Sequence, residues 1–254
     1  MTVSYIMNVI DRFGITPKVT AGNRQSAGHP IRQTIITDNG STDMRIKRWA
    51  LTFANKFIDN GENIGNAQAL NNAMKVATGD IIVIAGNDIK LPRPWLSEAI
   101  KLLQNKDVGL VGFGNVEGKE ETINEQDCIT HPHGTVGVCV FRRSLLDRVG
   151  YFATFSKYGY WDGDFSARVR MSGLKDVYLK NIQPDHIGED HGEDTAYRKM
   201  KDVEAKKAWP KIKELRGKYR PTAYYLTEDN KVMNTSGEEE TRKPKKRRKR
   251  TTKK

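Results

Sequence analysis

Four short runs along the chain are rich in Val and Ile: "IRQTIIT" (31–37), "DIIVIAG" (80–86), "VGLVGFG" (108–114) and "GVCVFRR" (137–143). Several alternate too little for a strand with one wet face, so they predict buried strands. Between the first two, "NAQALNNAMKVATG" sets Ala67, Leu70, Met74 and Ala77 three and four apart, a narrow apolar helical stripe that ends at Gly79. "PRPWLSEAIKLLQN" offers Pro94 for a first helical turn and Leu96, Ala99, Ile100, Leu102 and Leu103 for an inner face. Strand and helix in alternation imply right-handed crossovers and a mostly parallel sheet covered on both faces, an α/β fold.

The chain has 254 residues and 37% hydrophobic content, enough for one substantial core. No run approaches the ~18 to 20 consecutive apolar residues of a membrane span. The N-terminus lacks the basic, apolar, small-residue order of a signal peptide. The expectation is a soluble, cytoplasmic protein. Cys128 and Cys139 are the two cysteines, with no CxxC spacing, and they read as buried thiols in a reducing compartment.

The net charge of +12 is unevenly placed, because residues 241–254, "TRKPKKRRKRTTKK", hold 10 of the 43 Lys and Arg and no acid. The body is close to neutral. A block of like charge that buries nothing apolar is expected to be disordered, and the polar "EDNKVMNTSGEEE" before it makes residues 228–254 a linker plus tail.

Candidate chemistry begins with "IITDNGSTD" (35–43), an apolar run that stops in small polar groups. In open α/β sheets ligands bind beyond the carboxyl ends of strands, where Asp38, Asn39, Gly40, Ser41 and Asp43 offer acceptors for a base edge or ribose hydroxyls. An Asx-type turn followed by a helix N-cap uses the same residue types, and both readings stand at this point. The sequence carries neither GxGxxG nor GxxxxGK[ST].

Five motifs in fixed order, "DNGSTD", "NIGNAQALNNAMKVATGDIIVIAGND", "GVCVFRRSLLDRVGYF", "WDGDFSARVRMSGLKDVYL" and "PDHIGEDHG", together resemble glycosyltransferase family 2 over about residues 31 to 191. Members have the GT-A fold and use nucleotide-activated sugars. The resemblance implies a GT-A domain over 1–227, with a nucleotide-binding half about 1–90, an acceptor half about 91–195 and a closing helix about 195–217. It places Asp38 at the nucleotide base, with Asn39 and Ser41 in the same loop. Asp11 falls in the loop after the family's first strand, and Asn63, Gly65 and Asn71 match the stretch beside the nucleotide. Asn87 and Asp88 end a DxD-like signature whose first acid is replaced by Gly86. Asp88 and His186 are the implied ligands of Mn²⁺ or Mg²⁺ against the diphosphate of a nucleotide-sugar, expected to be a UDP-sugar. Such ions keep water and phosphate oxygens, so one or two protein carboxylates suffice.

Transfer with inversion is a single displacement at the anomeric carbon, so the attacking hydroxyl must lose its proton to a positioned carboxylate. Asp162 matches that base. Trp161, Asp164 and His133 are implied on the acceptor side, with Arg168 the helical ion partner of Asp164 four residues on. The acidic stretch 189–194 reads as a solvated loop or a lid. The basic tail points to a polyanion held by counterion release, and hence to DNA carrying a hydroxymethylated base, as in glycosyltransferases with which phages decorate their genomes in the host cytoplasm. A glycan or lipid carrier at an anionic membrane surface is the rival acceptor. A nonenzymatic nucleic-acid-binding protein leaves the five motifs unexplained.

Overall fold

The computed structural model describes residues 1–241 apart from 115, 131–136 and 188–195. The expectations for His133, the acidic stretch 189–194 and the tail beyond 241 lie outside the described residues.

The N-terminal half contains β1 (Val3–Val9), α1 (Thr16–Ser26), β2 (Gln33–Asp38), α2 (Met44–Phe53), β3 (Lys56–Asp59), α3 (Asn66–Lys75), β4 (Ile81–Ala85), β5 (Ile89–Lys90) and α4 (Trp95–Leu103). There follow β6 (Val108–Phe113), β7 (Lys119–Ile123), β8 (Gln126–Thr130), β9 (Val138–Arg142), α5 (Leu145–Val149), α6 (Trp161–Met171) and β10 (Lys175–Leu179). The chain closes with β11 (Asp185–His186), α7 (Ala196–Lys218), β12 (Ala223–Leu226) and β13 (Val232–Asn234). All four predicted strands form, as β2, β4, β6 and β9.

Nine strands make one sheet in the order β3-β2-β1-β4-β9-β6-β10-β8-β7. The first four are parallel throughout. Beyond β4 the sheet is mixed, because β9 runs antiparallel to both β4 and β6 and β7 and β8 pair as a hairpin. The expectation of a mostly parallel sheet holds for β3, β2, β1 and β4, which are linked in chain order through the helices α1, α2 and α3.

Burial follows the two-residue period of a strand. Val3, Tyr5, Met7 and Val9 of β1 enter one core layer with Trp95, Leu96 and Leu102 of α4. Ile6 enters the other with Ala67, Leu70, Ala73 and Met74 of α3. The central strand is thus dry on both faces, and its first polar exit into a loop is Asp11.

Residues 228–241 are more ordered than a linker. β13 pairs antiparallel with β12, Asn230 donates to Thr154 Oγ1 at 2.9 Å, and Val232 is buried among Ala223, Leu226 and Tyr219. The strands are only four and three residues long, too short for their alternation to stand out from polar neighbours.

Both thiols are buried, at 1% exposure each. Burial pushes the Cys128 thiol up to about 11, and burial together with the charge of Asp162 pushes Cys139 well above its ordinary value. Since the thiolate is the nucleophile, neither should react with an aromatic disulfide reagent at pH 8 in the folded protein, and both should react in guanidinium. Fast labelling of the native state would contradict these positions.

Candidate active site

A cleft of about 740 Å³ opens where β1 and β4 end, lined by the loop after β1, the β4–β5 turn, the start of α6 and the first turns of α7. A smaller cavity of about 380 Å³ lies between α5 and the C-terminal hairpin, away from the carboxyl ends of the parallel strands.

Asp88 is positioned by α1 and by a two-stranded ladder. Asn23 of α1, itself buried, donates to Ile89 O at 2.8 Å and accepts from Leu91 N at 2.9 Å. Thr16 at the start of α1 receives the Asn87 amide at 3.2 Å. β11 then pairs with β5 in the register His186↔Ile89, and Ile187 N donates to Asp88 O at 2.8 Å. These contacts bring His186 Nε2 to 3.7 Å from Asp88 Oδ1. The other carboxylate oxygen, Oδ2, accepts from Arg12 Nη1 at 2.8 Å.

This donor set fits a divalent cation as two ligands. Ligands about 2.0 to 2.2 Å from one metal ion can stand as far apart as Asp88 Oδ1 and His186 Nε2 do. Among the described residues no cluster of three or more His, Cys, Asp or Glu surrounds them, so water and substrate oxygens would complete the shell.

The loop residues expected at the nucleotide divide into a lining and a support. Asp11, Asn63, Asn87, Asp88, Trp161, Asp162 and His186 line the cleft. Asp38, Asn39 and Ser41 stand behind it. Asp38 Oδ2 closes the turn by accepting from Ser41 N at 3.1 Å and lies 3.4 Å from Lys47 Nζ. Ser41 Oγ accepts from Asp11 N at 2.8 Å, and Asp11 Oδ1 accepts in return from Thr42 N at 2.8 Å and Asp43 N at 2.9 Å. Asn39 donates to Asn63 Oδ1 at 3.1 Å and accepts from Ile64 N at 3.1 Å. Asp43 is the N-cap of α2. The structure forms the Asx turn and the cap, whose remaining groups hold Asp11 and Asn63 at the cleft wall. Asp38, with no exposure, supports the loop and does not reach the cleft surface, against the expectation of a contact with the base.

Gly40 and Gly65 have φ of 87° and 94°. A Cβ on Gly40 would stand 2.7 Å from Asn63 N, and one on Gly65 would stand 2.8 Å from Lys157 Cα. Both are glycine because backbone passes backbone there.

Two further expectations do not fit the geometry. Asn71 is buried at 1% exposure, and its amide donates to Phe152 O at 2.9 Å and accepts from Phe152 N at 3.0 Å. Both ends are spent tying α3 to the segment before α6, neither on a nucleotide nor on solvent. Asp164 has no exposure; it accepts from Arg168 Nε at 3.0 Å and from Tyr219 Oη at 2.9 and 3.1 Å. An acceptor contact by Asp164 is at odds with that burial, whereas Asp162, two residues earlier in the first turn of α6, lines the cleft.

The sequence assigned no role to Arg12, Tyr158, Lys201 or Asp202, which line the same cleft. Arg12 follows Asp11 with both residues at positive φ, 59° and 50°, and this left-handed pair turns the guanidinium back toward Asp88. No residue pattern marks such a pair in advance. Tyr158 receives the Asn63 amide at 3.1 Å, a contact across 95 residues of chain that only the folded structure reveals.

A sheet parallel in its N-terminal half and mixed beyond it, with a carboxylate-bearing cleft at the strand ends, is the architecture of a GT-A type protein. Residues 19–163 match the profile of "Glycosyl transferase family 2", and the chain belongs to that family. Comparison with curated proteins gives no match. Similar solved structures include the mannosyltransferase PcManGT from Pyrobaculum calidifontis in complex with GDP-Man and Mn²⁺, with a TM-score of 0.59 and 22% identity over 75% of this chain and 58% of that one. GalNAc-T7 with UDP, GalNAc and Mn²⁺ aligns with a TM-score of 0.58 and 10% identity over 87% of this chain and 51% of its own. S. aureus TarS 1-349 in complex with UDP aligns at 0.50 and 18% identity over 71% and 58%. At these identities the likeness is one of fold, and this chain spans little more than half the length of each.

If Asn71 is a strut, Asn71→Ala should cost about 2–4 kcal/mol by stranding the Phe152 amide and carbonyl in the interior. Urea unfolding measures it, and a loss under about 0.5 kcal/mol would remove the amide from the frame of the site.

Proposed function

We propose that this protein is an inverting glycosyltransferase that moves a sugar from a nucleoside-diphosphate sugar to an acceptor hydroxyl, the donor being a UDP-sugar and the acceptor a hydroxymethylated base in DNA. The observation that carries the reading is that Asp88 and Asp162, on separate halves of the fold, line one cleft.

The donor side supplies groups for each part of the nucleotide. Asp11 and Asn63 at the cleft wall suit the nucleoside, with Asp38 buried behind them as the support of their loop. Asp88 and His186 would hold a divalent cation, which when bound neutralises charge on the leaving diphosphate. Arg12 adds a fixed positive charge beside the same carboxylate, so part of the electrostatic stabilisation is built into the chain. On the opposite side Asp162 takes the proton of the attacking hydroxyl. Its carboxylate is fixed by accepting from Gly163 N at 2.7 Å, and Trp161 is held by packing on Phe152 with ring centroids 4.6 Å apart. The relatives of known structure were solved with Mn²⁺ and a nucleotide or nucleotide-sugar, which agrees with this donor class.

For the acceptor, the 10 basic residues of 241–254 favour a polyanion bound without sequence readout. A base in duplex DNA reaches a cleft only when flipped out or already unstacked.

The test incubates the full chain with a panel of nucleotide sugars, Mn²⁺ and either hydroxymethylated DNA or glycan acceptors, and follows nucleotide release and acceptor mass. DNA gaining one hexose mass supports the reading; glycan as the sole acceptor overturns its DNA half. Asp162→Asn should lower transfer about 10²- to 10⁴-fold and leave donor affinity unchanged, whereas Asp88→Ala should weaken Mn²⁺-dependent donor binding. Transfer surviving in Asp162→Asn would exclude that carboxylate as the base.

A further inference from the structure

α7 forms part of the cleft wall and then continues past it. Lys201 and Asp202 line the cleft, while Ala208, Ile212 and Leu215 are buried and anchor the helix. Opposite the α6 start it meets three successive points. A Cβ on Gly159 would stand 3.2 Å from Ala205 Cβ, and one on Gly163 would stand 3.1 Å from Arg216 Nη2. Between them Trp209 packs on Tyr160 with ring centroids 4.9 Å apart and planes inclined at 39°.

Neither ring is buried: Tyr160 is 37% and Trp209 43% exposed. Two large aromatic groups left in water beside a cleft ask for a partner. Tyr160 is moreover held at φ 62°, a left-handed conformation that a non-glycine residue adopts only at a cost in strain. That strain aims the ring away from the core and onto α7, directly before Trp161 and Asp162.

The surroundings of the pair are cationic. Lys206 and Lys213 stand three residues before and four after Trp209, so all three share one flank of the helix. Both lysines are exposed and make no ion pair among the described residues. Arg216, further along the helix, is turned toward α6, where its Nε stands 3.8 Å from Asp164 Oδ1, so the free charge of the flank is that of the two lysines. Lys206 and Lys213 are about 10 Å apart along the axis, the span of roughly two phosphates of a single strand.

From this arrangement we infer that the Tyr160–Trp209 pair and the Lys206–Lys213 flank form a docking track for a single-stranded or locally opened nucleic acid, one base stacking on the aromatic pair while neighbouring phosphates meet the lysines. The inference rests on the reading of the acceptor as DNA and gives that acceptor its contact on the folded domain. Stacking is indifferent to base identity, so the track holds the strand and leaves base selection to the cleft. Neutral glycans would use the rings and leave the lysines idle. A membrane surface would need an unbroken apolar face, but the exposed Met200 and Val203 lie on a different flank from Trp209.

The experiment measures anisotropy of a labelled single-stranded oligonucleotide with full-length protein, so that the tail is constant in every variant. Trp209→Ala should weaken binding about tenfold, the loss of one stacked base, and Trp209→Phe should restore most of it. The double variant Lys206→Glu, Lys213→Glu should reduce the slope of log affinity against log salt by about 1.4. Unchanged affinity in Trp209→Ala, or equal weakening on phosphatidylglycerol vesicles, overturns the track. Acceptor mass measured in parallel separates the two ideas: wild-type protein that glycosylates DNA while Trp209→Ala binds normally sinks the track alone, and absence of DNA glycosylation by the wild type sinks the acceptor reading.

Discussion

Asp164 is withdrawn from solvent between three partners, with Arg168 Nε at 3.0 Å, Tyr219 Oη at 2.9 Å and Arg216 Nε at 3.8 Å. Arg168 in turn donates to Tyr151 O at 2.7 Å and to Val149 O. One buried carboxylate therefore ties α6 to the end of α5, to the segment leading into α6 and to the end of α7. Burying a charge is costly unless it is paired and hydrogen-bonded, and losing one member strands the rest. The Tyr219 hydroxyl shows the same environment: burial first, and then the charge of Asp164, raise it well above its ordinary value, so it remains a proton donor. The cleft wall formed by Asp162, Trp161 and the inner turns of α7 is held by this closure together with the packing of Ile212 and Leu215 and the Tyr160–Trp209 contact.

The donor side is held differently, by amides and hydroxyls instead of buried charge. Asn23, Asn39 and Asn63 each bridge two chain segments, and their neutral groups pay a small desolvation cost. This leaves the net charge of the cleft to a few exposed or half-buried groups. Asp11, Asp88, Asp162 and Asp202 line it together with Arg12 and Lys201. A diphosphate entering a cleft lined by four carboxylates meets repulsion unless positive charge is supplied. Arg12 answers part of it, and the pairing of Asp88 Oδ1 with His186 leaves room for a cation to answer the rest. The missing first acid at Gly86 is consistent with a site that already contains a guanidinium.

Legibility from sequence followed the range of the interaction. Strands β2, β4, β6 and β9 were readable because burial on both faces demands continuous apolar runs, and α3 and α4 because one buried stripe imposes spacings of three and four. Asp88, His186 and Asp162, named from ordered motifs, come together at one cleft. What escaped depends on contacts between distant segments. Asn71 looked like a nucleotide or solvent amide because nothing local shows that Phe152 closes on it. Asp164 looked like a second acceptor carboxylate because its partner Tyr219 lies 55 residues away. The C-terminal hairpin looked like linker because its strands gain their burial from Tyr219 and Ile212 and not from their own length.

The family match ends at residue 163, one residue after Asp162. Within it lie Asn63, Asp88 and Asp162 of the cleft wall, while Asp11, Arg12 and His186 of the same wall fall outside. An acceptor has no common shape, so the elements that meet it are free to differ. Beyond the match, α7 closes one wall of the cleft with Lys201 and Asp202, and its end is tied to α6 through Tyr219 and Asp164. The same buried carboxylate thus holds both the first turn of α6, where Asp162 stands, and the helix carrying Lys206, Trp209 and Lys213. On the acceptor reading proposed above, a strand docked along α7 would be coupled to that turn through Tyr219 and Asp164.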